Sequence, residues 1–158
     1  MIFLEYNRNK SLQYAHEWAL KRNPAYYNFD EIGGDCTNFI SQCLYAGCGV
    51  MNYTRDIGWY YTSPNDRAAA WSGVEYLYRF LTTNKKAGPY CAVLPIEYAQ
   101  AGDIIQLSFD SEKFGHSLFV VNTEPEILVS THTDDSDRRP LDTYYYVKNR
   151  LLHIEGVR

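Results

Sequence analysis

The chain contains the stretch Gly33-Gly34-Asp35-Cys36-Thr37-Asn38-Phe39-Ile40-Ser41-Gln42-Cys43-Leu44, in which two glycines and an acid precede a cysteine and an amphipathic run follows it. This order predicts a helix over about 36–46 that begins at Cys36 and is closed by Gly47. Unpaired N–H groups and the positive end of the helix dipole favour a thiolate over a thiol at such a position. Cys36 is therefore a candidate nucleophile, and the alternative is a buried structural cysteine.

The sequence predicts two further helices, one before this stretch and one after it. Apolar residues recur at helical spacing between Asn7 and Lys21, and Asn23-Pro24 ends that pattern. The sequence Ser72-Gly73-Val74-Glu75 matches a capping box, which predicts a helix over about 73–83. Residues 48–71 lack clean periodicity and are interpreted as an irregular excursion.

The later part of the chain is rich in β-forming residues. Three short runs within 104–107, 117–121 and 126–130 predict strands, and a run over 144–154 adds one or two more. Helices first and strands afterwards indicate an α+β fold, with the N-terminal helices packed on one side of an antiparallel sheet. Since the 158 residues contain no linker and no repeat, the whole chain is predicted to form a single domain, residues 1–158.

The composition excludes several classes of protein. The chain is 46% hydrophobic and 22% charged with a net charge of -4, so it offers no basic surface for nucleic acid or for an anionic membrane. No apolar run approaches the roughly 20 residues of a membrane span. Residues 1–5 lack the length and the basic flank of a signal peptide, so we expect an intracellular protein, or a leader and other modules outside this sequence.

The cysteines argue against a metal site. Cys36, Cys43, Cys48 and Cys91 form no CxxC pair and no paired cysteine–histidine spacing, as a zinc site would require. Because a nucleophilic Cys36 must remain free, we expect four reduced thiols. No metal and no organic cofactor are expected.

Amide hydrolysis by a thiol needs an imidazole partner and a polar group that fixes the imidazole. Among the four histidines, His116 follows a glycine and opens an apolar strand, so it can meet a helix-borne cysteine across a cleft. His132 lies in a polar patch after the next strand, and a hairpin of the two strands would bring His132 or Asp134 near His116. The alternative for an unpaired cysteine and histidine is packing, or chance placement on the surface.

Aromatic residues cluster in the irregular excursion, at Trp59, Tyr60, Tyr61 and Trp71. One interpretation is that they line a substrate cleft, with Trp59 as the candidate contact. The other is that they pack the excursion, which is the commoner role of such residues.

The cysteine motif Gly34-Asp35-Cys36-Thr37-Asn38-Phe39-Ile40-Ser41-Gln42 resembles that of the putative amidase domain family, which is similar to the NlpC-type and CHAP-type papain-like hydrolases. The resemblance continues in order along nearly the whole chain, through Tyr6-Asn7-Arg8, Asn23-Pro24, Tyr26-Tyr27, Trp71-Ser72-Gly73-Val74, Ala101-Gly102-Asp103-Ile104-Ile105-Gln106, Gly115-His116-Ser117 and His132-Thr133. It implies a papain-like fold.

The resemblance implies a role for each matching residue. Cys36 is the nucleophile and His116 its general base and then its acid. The third member is assigned to His132, with Ser130 and Asp134 as open alternatives. Three further candidates are assigned to oxyanion and substrate binding: Tyr27, Asp35 and Trp59. The Tyr27 hydroxyl would join the Cys36 N–H in an oxyanion hole. Asp35 is also expected to cap the helix.

These assignments imply an amidase or peptidase that forms a thioester acyl-enzyme on a peptide or peptidoglycan-type amide. One alternative is an acyltransferase or transamidase on the same scaffold. The other is a non-catalytic module that binds a cell-wall component or a peptide.

Overall fold

A computed structural model describes residues 3–158, and their architecture is α+β. The helical part comprises α1 (Arg8–Trp18), α2 (Cys36–Cys48), α3 (Ala69–Ser72) and α4 (Val74–Thr83), with a small hairpin of β1 (Tyr61–Ser63) and β2 (Asp66–Arg67) before α3. The remaining strands are β3 (Pro89–Leu94), β4 (Ile104–Ser108), β5 (His116–Asn122), β6 (Leu128–Thr131), β7 (Ser136–Pro140) and β8 (Lys148–Val157).

Strands β3 to β8 form one six-stranded sheet in the order β3-β8-β4-β5-β6-β7, and every neighbouring pair is antiparallel. Strands β4 to β7 form a meander, and β8 returns between β3 and β4. The predicted hairpin of the histidine strand with the next strand is confirmed as β5–β6, where Phe119 pairs with Ser130. The predicted α+β class with an antiparallel sheet is thereby confirmed.

The sheet buries apolar residues on both faces because side chains alternate along each strand. Ile104 and Phe119 face the core formed with α2 and α4, together with Phe39 and Leu44 of α2. The strand residues that alternate with these lie on the opposite face of the sheet, in a second core. That core contains no residue of the four helices, and its members are Ile105, Leu107, Leu118, Val120, Val129, Leu141 and Leu151. The four helices therefore contribute to one face of the sheet.

Helix α1 begins as the sequence predicts but ends earlier. The Asn7 side chain caps it by accepting a hydrogen bond from the Lys10 N–H at 3.0 Å. The helix ends at Trp18 and does not reach Lys21. The backbone carbonyl of Trp18 is then free of the helix and accepts a hydrogen bond from His132 Nε2 at 2.8 Å.

Helix α2 passes through Gly47, which was expected to close it. Gly47 is needed for packing, since a Cβ there would lie 2.1 Å from Ser11 Oγ and 2.8 Å from the Asn7 carbonyl oxygen. The helix continues to Cys48 and ends at Gly49, whose φ of 71° is the left-handed conformation of a helix C-terminus. Close contact with α1, and not termination, explains the first glycine.

The predicted third helix exists as α4, but its capping box does not. Gly73 occupies the N-cap position, and no side chain caps the helix. Ser72 Oγ accepts a hydrogen bond from Arg67 Nε at 3.0 Å, and the Glu75 carboxylate pairs with Arg150 Nη2 at 3.0 Å. Both residues of the predicted box are thus engaged in tertiary contacts.

Strands β3 and β7 were not predicted, and they are the two edges of the sheet. Strand β7 reads Ser-Asp-Arg-Arg-Pro, a polar sequence without the alternation that marks a half-buried strand. Charged residues and proline are typical of protected edge strands. In the part of the chain that the structure describes, no helix combines the length and the apolar character that crossing a membrane requires.

Candidate active site

Cys36 follows a tight loop at the start of α2. Gly33 and Gly34 have φ values of 83° and 96°, which favour glycine, and the chain then turns directly into the helix. Cys36 is the first helical residue and is 7% exposed. A Cβ at Gly34 would lie 3.5 Å from Thr133 Oγ1, so this loop packs on the segment that follows β6.

His116 comes to the same region from the sheet. It is the first residue of β5 and pairs with Leu107 of β4. The residue after it, Ser117, lies with its Oγ 3.0 Å from Thr37 Oγ1, and Thr37 directly follows Cys36. A hydrogen bond between the residues that follow them therefore joins the start of α2, where Cys36 lies, to the start of β5, where His116 lies.

No hydrogen bond joins the Cys36 and His116 side chains. Among residues 3–158, the Cys36 thiol is hydrogen-bonded to Thr37 Oγ1, at 3.8 Å. The His116 ring has no hydrogen-bond partner in the same part of the chain, and its centroid lies 6.3 Å from that of Phe109 and 6.1 Å from that of Tyr144. His116 therefore keeps both ring nitrogens available.

Burial sets the protonation of both groups. It raises the pKa of the Cys36 thiol, and hydrogen bonding from the Ser117 backbone and from Thr37 offsets this only in part. Burial, assisted by the nearby charge of Arg139, lowers the pKa of His116 to about 4. The expectation that the helix N-terminus would give Cys36 a lowered pKa is wrong for the free protein, because desolvation outweighs the helix terminus. At neutral pH the pair consists of a thiol and a neutral imidazole.

A pocket of about 460 Å³ opens beside His116. Phe109 and Tyr144 contribute aromatic surface to its wall, and Asp134 and Arg139 contribute charge. Asp134 acts on His116 in the sense opposite to Arg139, since its carboxylate raises the pKa of the imidazole. The unpartnered ring thus faces a space large enough for part of a ligand.

His132 does not orient His116 in this structure, in contrast to its predicted role. Its Nδ1 lies 2.5 Å from Asp35 Oδ2 and its Nε2 lies 2.8 Å from the Trp18 carbonyl oxygen, so both ring nitrogens have other partners. The ring stacks on Phe39 at 4.2 Å and is 1% exposed. The physical reason is that the chain turns inward after β6 and carries His132 under the cysteine loop.

The two alternatives to His132 differ in their surroundings. Ser130 is buried and donates a hydrogen bond to Asp137 Oδ1 at 2.8 Å. Asp134 lines the pocket that contains His116. Of the three candidates, Asp134 is therefore the one that shares a pocket with the imidazole.

Asp35 occupies the N-cap position of α2, but its side chain makes no capping hydrogen bond to the helix backbone. Its carboxylate is fully buried, accepts hydrogen bonds from the Phe29 N–H and from Asn38 Nδ2, and meets His132 on its other oxygen. The Arg22 Nε lies 3.4 Å away. Asp35 thus ties the cysteine loop to β6 and has no exposed surface for a substrate.

Residues 3–158 contain no group of three or more histidines, cysteines or acids that could hold a metal ion.

The other two substrate-binding candidates lie apart from His116. Trp59 is fully buried, and its Nε1 donates a hydrogen bond to Ser41 Oγ at 2.9 Å, so it packs the core and cannot contact a substrate. Tyr27 is 42% exposed and lines a second depression of about 400 Å³. Its backbone carbonyl accepts a hydrogen bond from Asn38 Nδ2 at 2.9 Å, which keeps it beside the first turn of α2.

Sequence reasoning missed two residues of the pocket, Arg139 and Tyr144. Arg139 lies on the unpredicted edge strand β7, and Tyr144 follows the short 3-10 helix Leu141–Thr143. Strand β7 has no periodic signal in the sequence, and the strand predicted over 144–154 begins only at Lys148, as β8. Only the fold therefore reveals that Arg139 and Tyr144 border His116.

Comparison with known proteins agrees with the resemblance of the cysteine motif. The family model described as "Putative amidase domain" matches residues 5–154. The chain is 34% identical to the uncharacterized protein YhbB of Bacillus subtilis (strain 168) over 98% of its own length and 49% of that relative, so it spans about half of the relative. No solved structure significantly matches the chain. Because the family model covers nearly every residue, the chain belongs to the putative amidase domain family.

Proposed function

We propose that this chain is a cysteine-dependent amide hydrolase with a papain-like architecture of the NlpC and CHAP type. The observation that carries the proposal is the junction of α2 with β5. There, a hydrogen bond joins Thr37, the residue after Cys36, to Ser117, the residue after His116, and His116 lines a pocket. Membership of the amidase family supports amide bonds as the substrate class. Peptides and peptidoglycan-type amides are the proposed substrates.

The proposed reaction has two steps. Cys36 Sγ attacks the carbonyl carbon of the amide while its proton passes to His116. The imidazolium then protonates the leaving amine as the C–N bond breaks, and a thioester remains. In the second step His116 takes a proton from water, the hydroxide oxygen attacks the thioester carbon, and the C–S bond breaks. The proton returns to the sulfur, and the products are an amine and a carboxylic acid.

The protonation of the free protein supports general-base catalysis over a preformed ion pair. Burial raises the pKa of the Cys36 thiol and lowers that of His116, so both groups are neutral before the substrate arrives. Proton transfer is therefore coupled to attack. Asp134 is proposed as the acid that stabilises the imidazolium, because its charge favours the protonated ring.

The substrate is proposed to cross the first turn of α2. Thr37 contacts β5 next to the His116 pocket, and Asn38 contacts the backbone of Tyr27 next to the second depression. Cys36 comes directly before Thr37 and Asn38 in the first turn of α2. The N–H groups of a first helical turn have no intrahelical acceptor, so the Cys36 N–H is the proposed donor to the oxyanion, with the Tyr27 hydroxyl as a second candidate.

The test is hydrolysis of purified peptidoglycan fragments and of synthetic peptides, followed by mass spectrometry and by the appearance of free amino groups. Wild type should release an amine, whereas Cys36→Ala and His116→Ala should not. Cys91→Ala is the matched control, since Cys91 lies in β3 outside the junction. Equal activity of wild type and Cys36→Ala would reject the proposal, and incorporation of an added amine into the product would identify a transferase.

A further inference from the structure

Arg139 is held firmly in place but has no acidic partner in the part of the chain that the structure describes. Its Nε donates a hydrogen bond to Thr143 Oγ1 at 2.7 Å, and its Nη2 donates one to the Thr143 carbonyl at 3.2 Å. Its Cζ lies 3.7 Å from the centroid of the Tyr144 ring. Among the other half-buried arginines of the same residues, Arg8, Arg22 and Arg150 pair with a carboxylate, whereas Arg67 and Arg158 stack on aromatic rings without one. Arg139 is thus a fixed cation whose counter-ion is missing from residues 3–158.

The unpaired charge faces the pocket beside His116. Arg139 lines that pocket together with Tyr144, whose ring lies 6.1 Å from the imidazole. The Tyr144 hydroxyl is buried and has no hydrogen-bond partner among the described residues. The Arg139 guanidinium therefore borders the pocket and can donate hydrogen bonds to an anionic group, whereas the Tyr144 hydroxyl has no accessible surface of its own.

We propose that this pocket is a carboxylate-binding subsite, so that the preferred substrate is an acidic peptide with a free carboxylate close to the scissile amide. The assignment of the carboxylate to a substrate rests on the function proposed above, whereas the binding of a carboxylate does not. Guanidinium groups bind carboxylates through paired N–H···O bonds. Because Thr143 and Tyr144 already fix the side chain, little conformational entropy is lost when the anion binds.

Asp134 is the other charge in the pocket, and its position does not favour a cationic ligand. It is exposed to solvent, and Thr133 and Asp134 both have a positive φ, so the carboxylate is carried on a solvated turn. Arg139 is half-buried and pinned. An ammonium group in the pocket would be repelled by the pinned guanidinium, whereas a carboxylate would pair with it.

Carboxylate binding would also act on His116. The charge of Arg139 contributes to the lowered pKa of the imidazole, and the charge of Asp134 opposes it. A bound carboxylate cancels the first effect and leaves the second. Substrates with a correctly placed acid would therefore make His116 a better base as they bind.

The binding test uses a matched pair of probes, N-acetyl-Ala-Ala as the free acid and as its C-terminal amide. Each is titrated into the full chain carrying Cys36→Ser, which cannot turn over, and the His116 and Tyr144 ring resonances are followed by NMR. The acid should bind at least about tenfold more tightly than the amide, because a hydrogen bond to a charged group is worth that much. Equal binding of the two probes, or no change with either, would reject the subsite.

Substitutions of two adjacent arginines then assign the preference. Arg139→Gln should abolish the difference between acid and amide, and Arg139→Lys should retain only part of it, because lysine keeps the charge without the planar fork. Arg138→Gln makes the same change of charge one residue away, at a residue outside the pocket lining, and should leave the difference intact. A preference that survives Arg139→Gln in a folded protein would overturn the assignment.

A kinetic arm separates this inference from the proposed function. If wild type hydrolyses acidic peptides at least about tenfold faster than their amides in kcat/KM, and Arg139→Gln removes that ratio, both proposals stand. If no peptide is hydrolysed but the acid still binds through Arg139, the hydrolase proposal fails and the carboxylate subsite stands. If peptides are hydrolysed with no preference for a carboxylate, the subsite alone fails.

Discussion

His116 begins β5 and His132 follows the last residue of β6, its partner strand. Both histidines are buried, at 8% and 1% exposure. Their hydrogen bonding differs completely. His132 has an acceptor at each ring nitrogen, the Asp35 carboxylate and the Trp18 carbonyl. His116 has no hydrogen-bond partner within residues 3–158 and borders a pocket. Burial alone therefore does not distinguish a histidine with a full set of hydrogen bonds from one proposed to be catalytic.

Hydrogen-bond satisfaction is the more useful criterion. The His132 ring lies between a carboxylate and a backbone carbonyl, so both of its nitrogens already have partners within the protein. That pair fixes the loop before Cys36. An imidazole with unassigned nitrogens remains free to take up and release a proton. Substitutions at each histidine test whether His132 stabilises the fold and His116 takes part in catalysis.

The largest difference is expected in catalysis. Cys36→Ala or His116→Ala should lower the rate of amide hydrolysis by about 10⁴-fold or more, because each removes a group that takes part in bond making. His116→Ala should remain folded, since the ring makes no hydrogen bond within residues 3–158, and thermal unfolding checks this. Turnover by His116→Ala at the wild-type rate would contradict the role of His116.

The second difference concerns stability and should fall on the other histidine. His132→Ala removes the imidazole partner of the fully buried Asp35 carboxylate, so the free energy of unfolding should fall by about 3–5 kcal/mol. Urea denaturation of the full chain measures this. The purified protein should retain turnover at low temperature, where it remains folded.

His16→Ala is the matched control for that measurement. His16 also pairs with a carboxylate, Asp137, at 2.8 Å, but its side chain is 77% exposed. Surface pairs contribute less than about 1 kcal/mol, so this variant should resemble wild type. Equal losses for the two variants would mean that the Asp35–His132 pair adds nothing beyond a surface contact.

The sequence predicted the features of the site that depend on neighbouring residues in the chain. The glycines before Cys36 and the apolar strand after His116 have local signals, and the helix start and the β5–β6 hairpin are present as expected. The resemblance to the amidase family supplied the pairing of the two residues. The structure shows a hydrogen bond between the residues that follow them, Thr37 and Ser117, and no sequence pattern predicts that contact.

The rest could not be predicted, because it depends on contacts between distant residues. Period-2 alternation placed Ser130 and His132 on one face, but the backbone leaves the strand conformation after Thr131, and Thr133 has a φ of 72°. His132 therefore points toward Asp35. Strand β7 is a polar edge strand without hydrophobic alternation, so the sequence could not predict that Arg139 lies in the pocket with His116.

The third prediction uses pH. The pKa of His116 is lowered to about 4 from an ordinary value near 6.5, so the unfolded chain binds a proton there before the folded chain does. The stability associated with this group is complete above about pH 6.5 and is lost as the pH falls toward 4, by about 3 kcal/mol in all.

The comparison with His116→Gln isolates this effect from the titration of carboxylates. Urea denaturation of both proteins at several pH values between 4 and 7 should show the wild type losing more stability than the variant, with the gap growing toward acid. Parallel curves would show that the folded His116 titrates normally, and a buried, unpartnered imidazole would then be excluded.

The smallest expected effect concerns two thiols. Cys91 is the more exposed, but burial raises its pKa to about 12, and Glu155 and Asp103 add to the shift. Burial also raises the pKa of Cys36, but hydrogen bonding from Thr37 and from the backbone of the neighbouring strand opposes it.

We therefore expect limiting iodoacetamide near neutral pH to modify Cys36 at least about tenfold faster than Cys91, because the thiolate is the reactive form and His116 can accept its proton. Mass-spectrometric mapping of the alkylated peptides measures the ratio. His116→Ala should slow labelling of Cys36 and leave labelling of Cys91 unchanged, which separates the action of a base from simple accessibility. If Cys91 reacts first, exposure and not the histidine partner governs thiol chemistry in this protein, and Cys36 loses its claim to be the nucleophile.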